Sequence, residues 1–101
     1  MYKPLPKSVT IKPSGVHGLG LFADQKIKPG TNLGATHLEV DDKIIRTPLG
    51  GFINHSNTPN CMKMRQFVSL RLSVKKKWNL VAKQDIKKGD ELTVRYTFYK
   101  I

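Results

Sequence analysis

Cysteine is almost missing from this chain: Cys61 stands alone among 101 residues. One thiol excludes an internal disulfide and any cysteine-rich zinc site, and it suits a reducing compartment. Long apolar runs are also missing, so no segment reaches the ~20 residues that a membrane-spanning helix needs. The opening residues, Met1-Tyr2-Lys3-Pro4-Leu5-Pro6, lack the apolar stretch of a secretion signal. An intracellular protein, not secreted, is therefore expected. Acidic residues are scarce: seven Asp and Glu face 18 Lys and Arg, for a net charge of +11. Between Lys43 and Gln84 there are nine basic residues and no acidic one. Such an excess attracts polyanions, nucleic acid being the commonest. The plainer reading is a solvated surface that keeps a small domain soluble.

What remains is an ordinary globular composition with enough apolar residues for one modest core. Residues 1–7, with two prolines, read as a flexible arm, and residues 8–101 as one domain. Ser8-Val9-Thr10-Ile11-Lys12 alternates and reads as a strand. Pro13 through Gly20 reads as a glycine-containing loop leading into the short strand Leu21-Phe22-Ala23. Lys28-Pro29-Gly30 is a turn before a strand over residues 32–40, Asp41-Asp42 turns again, and residues 43–46 form another short strand. Further on, Val68, Leu70, Leu72 and Val74 alternate with polar residues, which predicts a half-buried strand. Lys75-Lys76-Lys77 is then expected as its hairpin turn, with Trp78, Leu80 and Ala82 facing inward on the return strand. Helical periodicity of useful length is missing, so the fold class is mostly β with few short helices.

An internal echo adds to this. The run from Ala23 to Leu33 reappears 59 residues later from Ala82 to Leu92, with Ala, Gln, Ile, Lys, Gly and Leu at matching places. Each copy reads as a strand end, an apolar plug (Ile27 or Ile86), a tight turn and a new strand. Two similar β-units flanking the centre of the chain are expected.

That centre is Gly51-Phe52-Ile53-Asn54-His55-Ser56-Asn57-Thr58-Pro59-Asn60-Cys61. Asn and Ser side chains compete for backbone groups and Pro59 removes a donor, so the run reads as an ordered loop between packed ends. Such loops carry binding and catalytic groups, although a plain connector satisfies the same pattern. The three histidines, His17, His37 and His55, lack the spacing of a metal-ligand pair. Cys61 could meet His55 as nucleophile and base, but nothing marks it as activated, and a buried structural thiol is the simpler reading. Gly18-Leu19-Gly20 is not a dinucleotide fingerprint, since no helix follows and the third glycine is missing.

Three segments taken together resemble the ordered motifs of the SET domain of protein lysine methyltransferases. They are Gly18-Leu19-Gly20-Leu21-Phe22-Ala23, Asn54-His55-Ser56-Asn57-Thr58-Pro59-Asn60-Cys61 and Gly89-Asp90-Glu91-Leu92-Thr93-Val94-Arg95-Tyr96. The resemblance spans roughly residues 8 to 99 and is to the minimal stand-alone type found in microbes and viruses. It implies small curved β-sheets with a C-terminal segment threaded, pseudoknot-like, past the Asn54-His55-Ser56 run. It also implies S-adenosylmethionine as cofactor, with the backbone at Gly18, Leu19 and Gly20 near its methionine part. Asn54 would make polar contacts to it, and the main chain at His55 would meet the adenine. Tyr96 matches the catalytic tyrosine that aligns a lysine amine for methyl transfer. Val94, Phe98 and Tyr99 are candidates for the wall of the lysine channel, and Glu91 for a stabilising role in the local fold.

The departures from the family shape the remaining expectations. Asn57 stands where many relatives have a zinc-binding cysteine, and the cysteine-rich tail is missing, so no metal is expected. The insert that helps to form the substrate groove has shrunk to residues 34–50. Only Thr97-Phe98-Tyr99-Lys100-Ile101 follow Tyr96 as cover, which leaves room for a homodimer that completes the channel. Arg95 replaces a common acidic residue, which argues against a very basic peptide substrate. The implied function is S-adenosylmethionine-dependent protein-lysine N-methylation, with histones as the family's usual substrate. The alternative is a SET-like basic module that binds nucleic acid or nucleoprotein through residues 43–84, with weak or no catalysis.

Overall fold

Short alternating runs separated by tight turns build two four-stranded sheets in the computed structural model, which describes residues 5–15, 18–68 and 74–96. The first sheet orders β1 (Val9–Pro13), β2 (Leu19–Ala23), β8 (Glu91–Val94) and β5 (Asn54–His55). The second orders β4 (Lys43–Arg46), β3 (Asn32–Val40), β7 (Val74–Ala82) and β6 (Cys61–Phe67). A single helical turn, α1 (Pro48–Phe52), lies between β4 and β5. Every strand pairing is antiparallel except β5 with β8. Leu21, Leu33, Leu49, Ile53, Leu80, Leu92 and Val94, from both sheets and the helix, form one shared core.

The internal echo becomes an approximate two-fold relation. Ile27 and Ile86 form an isolated antiparallel bridge, each amide donating to the other's carbonyl at 2.9 Å, with both side chains buried. Gly30 N–H donates to Ala82 O at 2.8 Å, and its counterpart Gly89 N–H donates to Ala23 O at 2.8 Å. Ala82 N–H reaches Thr31 O, and Ala23 N–H reaches Asp90 O, in the same way. Gly30 and Gly89 both sit at positive φ (84° and 95°), the left-handed region that a side chain enters only at a cost. After each turn the chain crosses to the other unit: β3 joins the β6–β7 sheet and β8 joins the β1–β2 sheet. The two β-units therefore interlock and cannot be separated as halves.

The same exchange threads the C-terminal strand. β8 lies between β2 and β5, and the segment after β5 closes over it. Asn60 does this with its side chain: Nδ2 donates to Glu91 O and Oδ1 accepts from Thr93 N, both at 2.9 Å. An amide side chain presents one donor and one acceptor in the geometry of a peptide group, so Asn60 stands in for a neighbouring strand. Ser56 N–H adds a bond to Val94 O at 3.0 Å.

The strands at residues 32–40 and 43–46 match the sequence reading. Asp41 and Asp42 form the two-residue turn between them with φ of 49° and 64°, the left-handed pair that such hairpins favour. Three corrections apply. Lys75, Lys76 and Lys77 are not a hairpin turn; they belong to β7, where Lys76 and Lys77 pair with both Glu39–Leu38 and Phe67–Gln66. All three are half-buried there, as lysines can be when their apolar stems lie along a sheet. The strand preceding β7 runs over Cys61–Phe67, and residues 69–73 of the alternating run lie outside the described residues. The front of the central run is helical in α1, capped by Thr47, whose Oγ1 accepts from Gly50 N at 3.4 Å, with Pro48 opening the helix.

Candidate active site

The three motif segments converge on β8. Glu91 opens that strand, and its carboxylate accepts from Ser14 Oγ at 2.8 Å and from Asn54 Nδ2 at 2.9 Å. The same Asn54 amide donates to Leu19 O at 3.2 Å. Gly20 packs directly on this pair: a Cβ there would overlap Glu91 Oε2 and stand 3.0 Å from Asn54 Nδ2. A side chain at this position would therefore have to displace the Glu91 carboxylate from its bond with Asn54. Asn54 is buried on β5, and Leu19 is half exposed at the start of β2. Gly18, at φ 48°, has no atom within 4 Å of where a Cβ would stand.

The parallel β5–β8 pairing extends this cluster to the tyrosine. Asn54 pairs with Thr93 and His55 with Val94, which brings the residues just after β8 alongside the His55 ring. Tyr96 N–H donates to His55 Nδ1 at 2.8 Å, and the two rings lie 5.1 Å apart at 52°. His55 Nε2 is 3.2 Å from Asn57 Oδ1. With Nδ1 accepting, the neutral ring carries its proton on Nε2 and donates to Asn57; both nitrogens are engaged, and the side chain acts as a brace. The Tyr96 hydroxyl donates to Ile53 O at 2.7 Å. Partial burial raises the Tyr96 pKa, with Arg46 opposing the shift, so the hydroxyl stays protonated at neutral pH.

Sequence reasoning therefore named residues that meet: Leu19, Gly20 and Asn54 around Glu91, and His55, Val94 and Tyr96 beside them. Gly18 stands at the margin, and Phe98 and Tyr99 lie outside the described residues, as does His17. It assigned no part to Ser14, Asn60 or Lys63. Nothing local distinguishes Asn60 from Asn57, because only the threaded strand gives its amide a purpose. Lys63 on β6 places Nζ 5.7 Å from the centre of the Tyr96 ring, within cation–π range. Burial lowers its pKa. His37, buried on β3 with Nδ1 2.9 Å from Thr36 Oγ1, has its pKa lowered by burial and then by the nearby charges of Lys63 and Arg46. Cys61 is buried, and its thiol is pushed up to about 12 by that burial against a smaller opposing bond to the Thr93 backbone. It is the inert thiol that the sequence suggested.

Beyond Val94 and Arg95 opens a recess of about 650 Å3 whose walls include Lys63, Arg65, Trp78 and Lys83. It shares no described lining residue with the glycine segment, Asn54 or His55.

The Arabidopsis thaliana histone-lysine N-methyltransferase ASHH2 is 38% identical over 63 residues, covering 62% of this chain. The chain spans only 3% of that relative's length. Among solved structures, a Plasmodium falciparum protein described as a candidate histone methyltransferase superposes with a TM-score of 0.75 at 21% identity, covering 94% of this chain and 97% of its own. A chain from an apo PRC2 structure with mutations in Ezh2 gives a TM-score of 0.70 at 23% identity, covering 89% of this chain and 15% of its own. At those identities the two structures speak for the fold alone. The SET domain model matches residues 36–97, more than half of the sequence, and the chain belongs to the SET domain family.

Proposed function

We propose that the protein is an S-adenosylmethionine-dependent protein-lysine N-methyltransferase with Tyr96 as its catalytic side chain. One observation carries the reading: a SET-family chain brings its glycine segment, Asn54, His55 and Tyr96 together along β5 and β8. Histone methyltransferase is also the activity named for the Arabidopsis relative.

The residues present fit such a cofactor. The backbone from Gly18 to Gly20 is open at Gly18 and braced at Leu19 by Asn54, and Glu91 gives the cluster a negative charge suited to a cationic ligand. Gly18, Leu19, Gly20, Asn54 and the main chain of His55 would hold it. S-adenosylmethionine, when bound, supplies an activated methyl group on a sulfonium.

The chain's part is to present a lysine amine in neutral form and in line. An amine free in water has a pKa of about 10.4 and is mostly charged at neutral pH. Burial lowers the pKa of Lys63 beside Tyr96, and a substrate amine buried there would be shifted in the same direction. Because the Tyr96 O–H is committed to Ile53 O, its oxygen presents lone pairs that can accept from an incoming amine N–H. The His55–Tyr96 backbone bond fixes the ring that carries them. Orientation of this kind supplies much of a transferase's barrier reduction.

The test is incubation with methyl-labelled S-adenosylmethionine and a panel of histones, nucleosomes and cell lysate, beside Tyr96→Phe. Label in a protein band with the native chain, lost in Tyr96→Phe, is expected. No transfer together with no cofactor binding would refute the reading. A second reading, a basic module for nucleic acid, has its own support: β6 and β7 carry Lys63, Arg65 and Lys75–Lys77, and the one ion pair among the described residues is Lys75–Asp42. That binding would fall steeply with salt and ignore the cofactor.

A further inference from the structure

We infer that the recess beside Tyr96 selects a lysine flanked by acidic residues, so that the substrate is an acidic segment of a protein chain. The inference rests on the transferase reading of the same site and narrows its substrate class. Four cations from three places in the fold line the recess: Lys63 and Arg65 on β6, Lys83 just after β7, and Arg95 just after β8. Period two puts Lys63 and Arg65 on the same face of β6. No Asp or Glu is among the described lining residues, and no ion pair among the described residues neutralises any of the four. Like charges gathered around one concavity without counter-charges repel one another, and an anionic occupant relieves that repulsion.

The location ties this charge to the reaction. Val94 and Arg95, which line the recess, lead directly into Tyr96, and Lys63 reaches over the Tyr96 ring. Residues flanking a lysine held at the Tyr96 hydroxyl would therefore fall within reach of these four side chains. Size favours a peptide: about 650 Å3 is the scale of a pocket for a few side chains and too small for a duplex. The walls are also mixed, since Met62 and Trp78 offer apolar surface between the charges. Arg65, Lys83 and Arg95 are exposed and can reorient toward carboxylates, each contributing modestly at physiological salt.

The experiment uses the full chain and three peptides that share one central lysine and differ only in flanks of Glu, Gln or Lys. Methyl transfer from labelled S-adenosylmethionine gives kcat/KM, and fluorescence anisotropy gives binding with and without the cofactor. The expected order is Glu above Gln above Lys, with about tenfold between the ends, narrowing as salt rises. The double variant Arg65→Glu/Lys83→Glu, whose melting temperature is checked first, should reverse the order. Equal use of the three peptides, or preference for the Lys-flanked one, overturns the inference. So does an order that the charge reversal leaves unchanged. Preferential binding of the Glu peptide without transfer to any peptide supports the recess assignment and counts against the transferase reading alone. Tight binding of an oligonucleotide with no preference among the peptides overturns it in favour of nucleic acid.

Discussion

Removing the Asn60 side chain should loosen the threaded strand far more than removing that of its neighbour Asn57. Asn60→Ala takes away the acceptor of Thr93 N–H and the donor to Glu91 O, both 2.9 Å bonds. Thr93 is 8% exposed, so little solvent is at hand to replace the lost partner. A buried polar group left without its partner costs about 1–3 kcal/mol; Glu91 is only half-buried, so the two groups together cost about 3 kcal/mol. Against a total stability of about 5–15 kcal/mol for a domain, that is a large fraction. For a chain of this length it corresponds to a fall in melting temperature of about 12–24 °C. Asn57→Ala is the matched control: Asn57 is exposed, with its Oδ1 3.2 Å from His55 Nε2, so a change within about 0.5 kcal/mol is expected. Calorimetry or circular dichroism melts of the two variants make the comparison, and amide exchange at Thr93 should accelerate in Asn60→Ala alone. A loss below about 1 kcal/mol, or equal losses in the two variants, would refute the view that Asn60 acts as a neighbouring strand.

Other perturbations probe different parts of the account. Ile86→Ala removes a fully buried side chain at the bridge between the two echoed units and should cost about 2–5 kcal/mol in denaturant unfolding. His37 has a folded pKa below its ordinary 6.5, so the unfolded chain binds more protons between the two values; stability should be full above about pH 6.5 and decline as pH falls below it, and His37→Gln should flatten that part of a melting profile. Cys61, its thiol pushed up to about 12, should resist a disulfide reagent at pH 8 in the native protein and react at once in guanidinium.

Much of the fold was legible because its signals are local. The Asp41-Asp42 turn, the strand that precedes it and the echoed Gly30 and Gly89 turns each follow from chemistry within a few residues. The echo even anticipated two related β-units, although not that each sends its last strand into the other's sheet. Interlocking is set by contacts between residues far apart in sequence, such as Gly30 with Ala82, which periodicity does not encode. Lys75–Lys77 were misread as a turn because three charges in a row suggest solvent, whereas strand preference depends on the pleated surface already present. The five-residue α1 is too short for helical periodicity to mark it. At the site, the motif residues could be named and Glu91 given a stabilising role, but its partners and the roles of Ser14 and Asn60 depend on β8 lying between β2 and β5. Lys63 became relevant only when β6 placed it against Tyr96.

Cofactor titration followed by amide chemical shifts tests the central claim most directly, that the three motif segments form one binding site for S-adenosylmethionine. The account predicts saturable shifts concentrated at Gly18, Leu19, Gly20, Asn54, His55 and Tyr96, with little change at Lys76 and Lys77 on β7. Absence of shifts at any attainable concentration, or shifts confined to the lysine-rich β6–β7 face, would contradict it.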